Sequence, residues 1–333
     1  MIAAVKESSE FIRANSEHVS INEEAVHKIA SEIEFAYKNG DVSLGAWHDC
    51  PFHPQQSDNI LDHVFVIDAL NFCFWNEDIT PYQVLYRGKV HHGYIAAVAA
   101  LDRALCENIP ITTPSFYADI SVSLMRSVFR PFNRDGLPPK IPLLMDRVAN
   151  LTQVGKVLVD VFGGSFENVV RAAGNSASTL VDLIYKHFEC FRDECEYKGR
   201  KVFFLKRAQI LAADVWGALQ NSDIGEFHDI NELTAFADYR IPQHLKSLGV
   251  LEYDEELTAK LESQQLIEPG DPMECEIRGC TIAAIEQIRN AISKDIQSEV
   301  NSVLIDFYLW DKAKLTAPES VNHITHRTQT MFY

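Results

Sequence analysis

The stretch 236–243, Phe-Ala-Asp-Tyr-Arg-Ile-Pro-Gln, places an aromatic ring two residues ahead of a carboxylate. On an extended segment such residues share a face, whereas on a helix they point in roughly opposite directions. Pro242 disfavours the helical conformation at Ile241 and is itself suited to the first turn of a helix. The pattern predicts an extended elbow leading into a helix over 242–248, with Phe236 and Asp238 on one side of the elbow. A ring and an acid so placed can stack on a nucleobase and do chemistry on it. The same residues have a structural reading, in which Asp238 caps the following helix and Phe236 belongs to the core.

Other groups with chemical potential are spread along the chain. Asp306 and Asp311 flank Phe307, Tyr308 and Trp310. Five residues apart on a helix, the two acids are about 140° apart. They share a pocket only if it wraps the helix; otherwise one acid is capped or paired with a base and the other is solvated. Lys206-Arg207 opens a predicted helix, where positive charge and unpaired N–H groups make an anion site, unless the two are ordinary surface cations. Asp68 and Asn71, one turn apart in the apolar run 60–75, must cap backbone or touch a ligand, and capping is the favoured reading. His48 falls in a segment, 47–54, whose two prolines and two histidines mark an ordered loop. The seven cysteines are an odd number without any CxxC pair. They read as reduced, buried thiols; the equal spacing of Cys190/Cys195 and Cys275/Cys280 is too wide for a typical zinc site. P-loop, dinucleotide-binding, HExxH and G-x-S-x-G signatures are absent from the sequence.

The elements that must position these residues are predominantly helical. A helix over 22–38 is capped by Asn22, buries Ala25, Ile29, Ile33 and Ala36, and ends at Asn39-Gly40. A hairpin turns at Arg87-Gly88-Lys89. Helices follow over 94–106, over 114–130 and over 143–162, the last stopped by Gly163-Gly164, with Pro138, Pro139 and Pro142 breaking the pattern between them. Two shorter helices over 165–188 are separated near Gly174-Asn175-Ser176, with Ser176 as a cap. A strand pair is expected over 195–204, then helices over 206–220, 254–266, 272–294 and 299–313. The tail from His323 is partly basic but ends in Met-Phe-Tyr, which docks on the body. The expectation is an all-α chain with one or two small strand pairs. It forms one compact unit, 1–333, divisible into helical subdomains of about 1–140 and 141–333.

Composition narrows the function. In 333 residues, acidic side chains outnumber basic ones 47 to 30, and the net charge is −17. Proteins that grip polynucleotides need clustered cations to displace counterions. A small ligand, one carrying cationic groups in particular, is the better match. No apolar run reaches the length of a membrane span, and the N-terminus lacks a secretory signal pattern. The expected setting is the cytoplasm, with nuclear access left open.

Six segments together resemble the queuosine 5'-phosphate N-glycosylases (hydrolases) of queuosine salvage. They are 70–75 (LNFCFW), 163–166 (GGSF), 206–211 (KRAQIL), 236–243 (FADYRIPQ), 276–280 (EIRGC) and 306–311 (DFYLWD). The resemblance runs from about residue 40 to the C-terminus. It implies a fold akin to the helical DNA glycosylases and hydrolysis of the N-glycosidic bond of queuosine 5'-monophosphate. The products are queuine, for reinsertion into tRNA by a separate enzyme, and ribose 5-phosphate. It further implies Asp238 as the catalytic residue, whether as electrostatic stabiliser, as the group that orients the attacking water or as nucleophile, with Phe236, Asp306 and Asp311 around the base. Phe307 stands where the family often has Tyr, beside Tyr308, and His48 aligns with an early-loop histidine of the family. Two other readings compete with this one: a queuine- or nucleoside-binding protein without turnover, and a helical DNA glycosylase acting on polymers.

The implied chemistry accounts for the residue types. N-glycoside cleavage builds positive charge on the ribose, which a preorganised carboxylate stabilises more in the transition state than in the ground state. Queuine, a 7-deazaguanine, has no N7 to protonate, so pocket hydrogen bonds carry the leaving group. Its guanine-like edge and its cationic aminomethyl arm both seek carboxylates, which suits Asp306 and Asp311. Phe236 supplies a stacking face. Lys206 is the candidate for the 5'-phosphate. The chemistry requires no metal or other cofactor.

Overall fold

The computed structural model describes residues 1–54, 57, 59–76, 82–132, 140–220, 222–316 and 325–333. Along the chain run α1 (Ile2–Asn15), β1 (Val19–Ile21), α2 (Glu23–Lys38), α3 (Gly45–Asp49), α4 (Ile60–Ala69), β2 (Gln83–Tyr86) and β3 (Lys89–His92). Then come α5 (Gly93–Cys106), α6 (Pro114–Tyr117), α7 (Val122–Val128), α8 (Leu144–Val161), α9 (Glu167–Ala172), α10 (Ala177–His187), β4 (Glu194–Tyr197) and β5 (Arg200–Phe203). The remainder comprises α11 (Lys206–Ala218), α12 (Arg240–Ser247), β6 (Leu251–Tyr253), α13 (Glu255–Glu262), α14 (Pro272–Ala291) and α15 (Ser302–Thr316). The chain is mostly helical, and its described strands form three antiparallel pairs, β1–β6, β2–β3 and β4–β5.

Two compact units are each assembled from distant segments. The first comprises Met1–Ala46, Asp193–Gln209 and His228–Gln329; the second comprises Trp47–Arg192, Ile210–Phe227 and Thr330–Tyr333. Neither coincides with the sequence-expected halves 1–140 and 141–333, because each unit draws on both.

The first unit is built on α14, which is buried from Met273 to Ile285. Helix α1 lies against it where Gly279 has no side chain; a Cβ there would come within 2.6 Å of Ile12. The buried carboxylate of Glu276 fixes the turn after α1. It accepts hydrogen bonds from the Glu17 and His18 N–H groups at 3.0 and 2.7 Å and from the Ser16 and Tyr197 hydroxyls at 2.8 Å each. Sequence periodicity did not single out α1 or the β1–β6 pair, whose strands are only three residues long and far apart in the chain. Helix α2 is capped by Asn22 as expected, its side chain accepting from Ala25 N–H at 3.0 Å. Its buried stripe is rotated slightly: Val26 and Ala30 join Ile29, Ile33 and Ala36, and Ala25 is only half-buried.

The second unit centres on the buried guanidinium of Arg147 on α8. It donates to the carbonyls of Pro142, Leu70, Phe72 and Cys73 at 2.7–2.9 Å and sits 4.5 Å from the centre of the Phe72 ring. One cation thus gathers the irregular segment that follows α4. The single helix expected over 114–130 is two, because Ser121 starts a second one by accepting from Leu124 N–H at 3.1 Å. The hairpin turns at Arg87-Gly88, pairing Tyr86 with Lys89. Helix α8 ends at Gly163-Gly164, both in the left-handed region. Ser176 caps α10 through Thr179 N–H at 3.0 Å. The C-terminal Tyr333 is buried and its carbonyl accepts from Cys73 N–H at 3.0 Å, so the apolar tail end docks. Pro138, Pro139 and the start of the tail at His323 lie outside the described residues.

The α1–α14 contact makes a stability prediction. Gly279→Ala costs about 1–3 kcal/mol through overpacking against Ile12. Adding Ile12→Ala recovers part of that cost, so the double variant is more stable than the two single losses sum to. Urea unfolding of the four proteins measures the coupling, and strict additivity would contradict the steric account.

Candidate functional site

The elbow before α12 is held by side chains from three other elements of the first unit. Residues 233–237 are neither helix nor strand. Upstream, the buried Gln209 on α11 accepts from Thr234 N–H at 2.9 Å and donates to the Phe204 carbonyl at 3.0 Å. At the centre, Asp306 on α15 accepts the Phe236 N–H at 2.9 Å, and Arg278 on α14 donates to the Ala237 carbonyl at 3.0 Å. Asp238 then turns the chain into α12: its Oδ1 accepts from Arg240 and Ile241 N–H at 2.7 and 3.1 Å. Those two bonds wind Arg240 and Ile241 into the helix, so α12 begins ahead of Pro242. The proline sits at the third position of that helix, where no N–H is needed from it.

Both structural roles foreseen for the elbow are therefore filled. Asp238 is a cap, and Phe236 is buried against Phe307, with ring centroids 6.1 Å apart. These roles do not exhaust the acid. Asp238 is partly exposed, and its Oδ2 has no hydrogen-bond partner among the described residues. One oxygen is anchored while the other is available.

Asp306 has the opposite environment. Its carboxyl is buried, and burial pushes its pKa well above the usual carboxylate range. The Phe236 N–H bond opposes that rise, the nearby charge of Asp238 adds to it, and Lys206 counters it. Asp238 and Lys206 are thus each near enough to act on Asp306. Lys206 is buried at the start of α11, its backbone N–H bonded to Asp193 Oδ2 at 3.0 Å.

The remaining candidates have surroundings of their own. Asp311 pairs with Lys314, one turn further along α15, at 2.6 Å and is partly exposed. Tyr308 lines a groove of about 590 Å³ with Lys28, Glu32, Phe35, Asp41 and Lys312, and the Lys312 ammonium lies 5.1 Å from its ring centre. Helical geometry explains both: residues two and five beyond Asp306 are rotated by about 200° and 140° from it. Phe307, one residue on, is the aromatic that meets Phe236. His48 lies in the second unit, on α3, exposed and edge-on to Trp47 at 5.0 Å. Asp68 and Asn71 are also in that unit, where Asn71 Nδ2 donates to Asp68 Oδ1 at 3.3 Å. Among the described residues, no group of three or more His, Cys, Asp or Glu side chains is placed to hold a metal ion.

Sequence reasoning passed over Arg278 and Asp193. A signal was present: Arg278 interrupts the apolar face of the helix predicted over 272–294, and a charge on such a face requires a buried partner. That partner, 85 residues away, is not legible from spacing.

The whole chain has recognisable relatives. The family model described as queuosine salvage protein matches residues 52–333. A protein of Nematostella vectensis is 40% identical over 346 residues, covering 98% of each chain. One of Mus musculus is 39% identical over 337 residues, again covering 98% of each. One of Schizosaccharomyces pombe is 38% identical over 325 residues, covering 94% of this chain and 92% of its own. Each of the three is a queuosine 5'-phosphate N-glycosylase/hydrolase.

The burial of Asp306 has a measurable consequence. Its folded pKa is raised, so the folded protein keeps a proton that the unfolded chain releases near the ordinary value of about 3.9. Stability from this group is intact below that value and declines as pH rises toward the folded pKa. Asp306→Asn removes the decline. Urea unfolding across this pH range is expected to show the variant gaining on the wild type as pH rises; parallel profiles would refute the assignment.

Proposed function

Because this chain belongs to the queuosine salvage protein family, we infer that it is an N-glycosyl hydrolase. It cleaves queuosine 5'-monophosphate to queuine and ribose 5-phosphate. The observation that carries the residue assignment is the elbow: an acid with one free oxygen, beside a buried acid and an aromatic pair, with a buried lysine nearby.

In this reading Asp238 faces the sugar. As the glycosidic bond lengthens, positive charge grows on the ribose, and the free Oδ2 stabilises it; a water molecule then adds to the anomeric carbon, and the proton it loses ends on the departing base. The two backbone bonds to Oδ1 hold the carboxylate in place in advance, so little reorganisation is needed when that charge appears. Asp306 faces the N1–H and exocyclic amine of the guanine-like edge, where a buried carboxyl is matched only by a donor pair. Phe236 and Phe307 supply the apolar wall. Lys206 receives the 5'-phosphate through its ammonium.

Asp311, Tyr308 and His48 remain proposals from the family resemblance alone. For Asp311 the cationic arm of the base is the fitting partner, since Lys314 is an exposed and exchangeable one. The substrate is a free nucleotide and not a polymer; a net charge of −17 disfavours a polynucleotide footprint. No helix among the described residues is long and apolar enough to cross a membrane. The cytoplasm is the compartment that suits thiols such as Cys195 and Cys275, whose Sγ atoms lie 3.2 Å apart as free cysteines.

Two measurements test this reading. Asp238→Asn retains the cap through its amide oxygen but lowers queuine release by at least about 10²–10³-fold while still binding the nucleotide. Chromatography of single-turnover reactions shows the loss, and a rate near wild type would remove Asp238 from the chemistry. The 5'-monophosphate is expected to exceed unphosphorylated queuosine in kcat/KM, because phosphate binding orients the sugar. Equal values would dismiss the phosphate role of Lys206.

A further inference from the structure

Asp193 and Arg278 form a buried ion pair that touches both ends of the proposed site. The guanidinium is bidentate: Nη1 donates to Asp193 Oδ1 at 2.9 Å and Nη2 to Oδ2 at 2.6 Å. Both side chains are 3% exposed. The third guanidinium donor, Nε, reaches the Ala237 carbonyl, in the peptide that joins Ala237 to Asp238. On the other side, Asp193 Oδ2 accepts the Lys206 N–H. The Asp193 carbonyl also accepts from Phe204 and Leu205 N–H at 3.0 and 3.2 Å, which fixes the approach to α11.

Two features show that the pair is built to hold geometry. Glu274 adds a second acid, its Oε1 3.3 Å from Arg278 Nη1, so the guanidinium is held from more than one direction. The Phe204 ring lies 4.1 Å from the guanidinium carbon and closes its face. A planar fork with its donors directed to named acceptors has little freedom to turn.

We propose that Arg278 is a positioning residue for the hydrolysis, its pair with Asp193 setting the separation between Lys206 at the phosphate end and Asp238 at the scissile bond. This rests on the roles given above to Asp238 and Lys206. The bound nucleotide is anchored at its phosphate and cleaved at its glycosidic carbon, so the spacing of the two protein groups must match that of the substrate. A misplacement of about 1 Å between them costs on the order of 10²-fold in rate. One chain of hydrogen bonds joins the Lys206 backbone to the peptide just ahead of Asp238: Lys206 N–H, Asp193, Arg278, Ala237 carbonyl.

Arg278→Lys tests the proposal, because lysine retains the charge opposite Asp193 and Glu274 but cannot span Asp193 and the Ala237 carbonyl as a fork does. Steady-state kinetics on queuosine 5'-monophosphate, with thermal unfolding of the same samples, are compared with wild type, Asp193→Asn and Asp238→Asn. The expected result for folded Arg278→Lys is a fall of about 10²-fold in kcat, with kcat/KM falling equally. Asp193→Asn keeps one acceptor oxygen, for Lys206 N–H and one guanidinium N–H, but sets an amide NH2 against the other, and is expected to show a loss of the same kind. A folded Arg278→Lys enzyme with wild-type kcat would overturn the proposal. So would failure of both Arg278→Lys and Asp193→Asn to fold, which would make the pair a support of the core. Should Asp238→Asn turn over normally, the catalytic reading itself falls and the proposal with it. Loss of activity in Asp238→Asn beside a fully active Arg278→Lys would sink the positioning role alone.

Discussion

A short run of backbone between Thr234 and Asp238 forms neither helix nor strand, yet it is largely buried. Buried peptide groups without a ladder must be met by side chains. Gln209 meets Thr234, Asp306 meets Phe236, and Arg278 meets Ala237. This requirement brings α11, α14 and α15 to one place, and it delivers the chemistry with them. The acid that satisfies the Phe236 N–H is the acid proposed to read the base. The cation that satisfies the Ala237 carbonyl is the one paired beside Lys206. In the proposed reading, structural and functional demands are met by the same hydrogen bonds, so neither set is free to drift.

The two central acids divide their work by environment. Asp306 is enclosed, and burial disfavours its charged form. Asp238 is anchored through one oxygen and leaves the other free, which suits a group that must oppose charge appearing late in the reaction. An enclosed carboxyl without its ligand is a cost to the folded protein. Keeping one is consistent with a site shaped for binding at the expense of stability.

Much of this was legible in the sequence, for identifiable reasons. Period-3.6 patterning and capping residues such as Asn22, Ser176 and the glycines after α8 act locally, so the helices they bound were readable. The Phe236–Asp238 elbow was readable because a proline and a two-residue spacing constrain the backbone without reference to the rest of the chain. The asymmetry of α15 was only half readable. Its 140° rotation was evident, but only tertiary contacts choose the inward acid, and they turn Asp306 in while Asp311 meets Lys314. Asp193 and Arg278 were opaque because their meaning lies in a contact across 85 residues. The three-residue strands β1 and β6, and the cap that divides α6 from α7, were likewise decided by partners or by one serine hydroxyl and not by periodicity.

The account turns on where the sugar sits. The most direct measurement is a crystal structure of Asp238→Asn with queuosine 5'-monophosphate bound. The glycosidic carbon is expected within about 3.5 Å of the residue 238 side chain, with the base edge on Asp306. A nucleotide whose sugar lies away from residue 238, or one seated in the groove beside Tyr308 and Lys312, would contradict it.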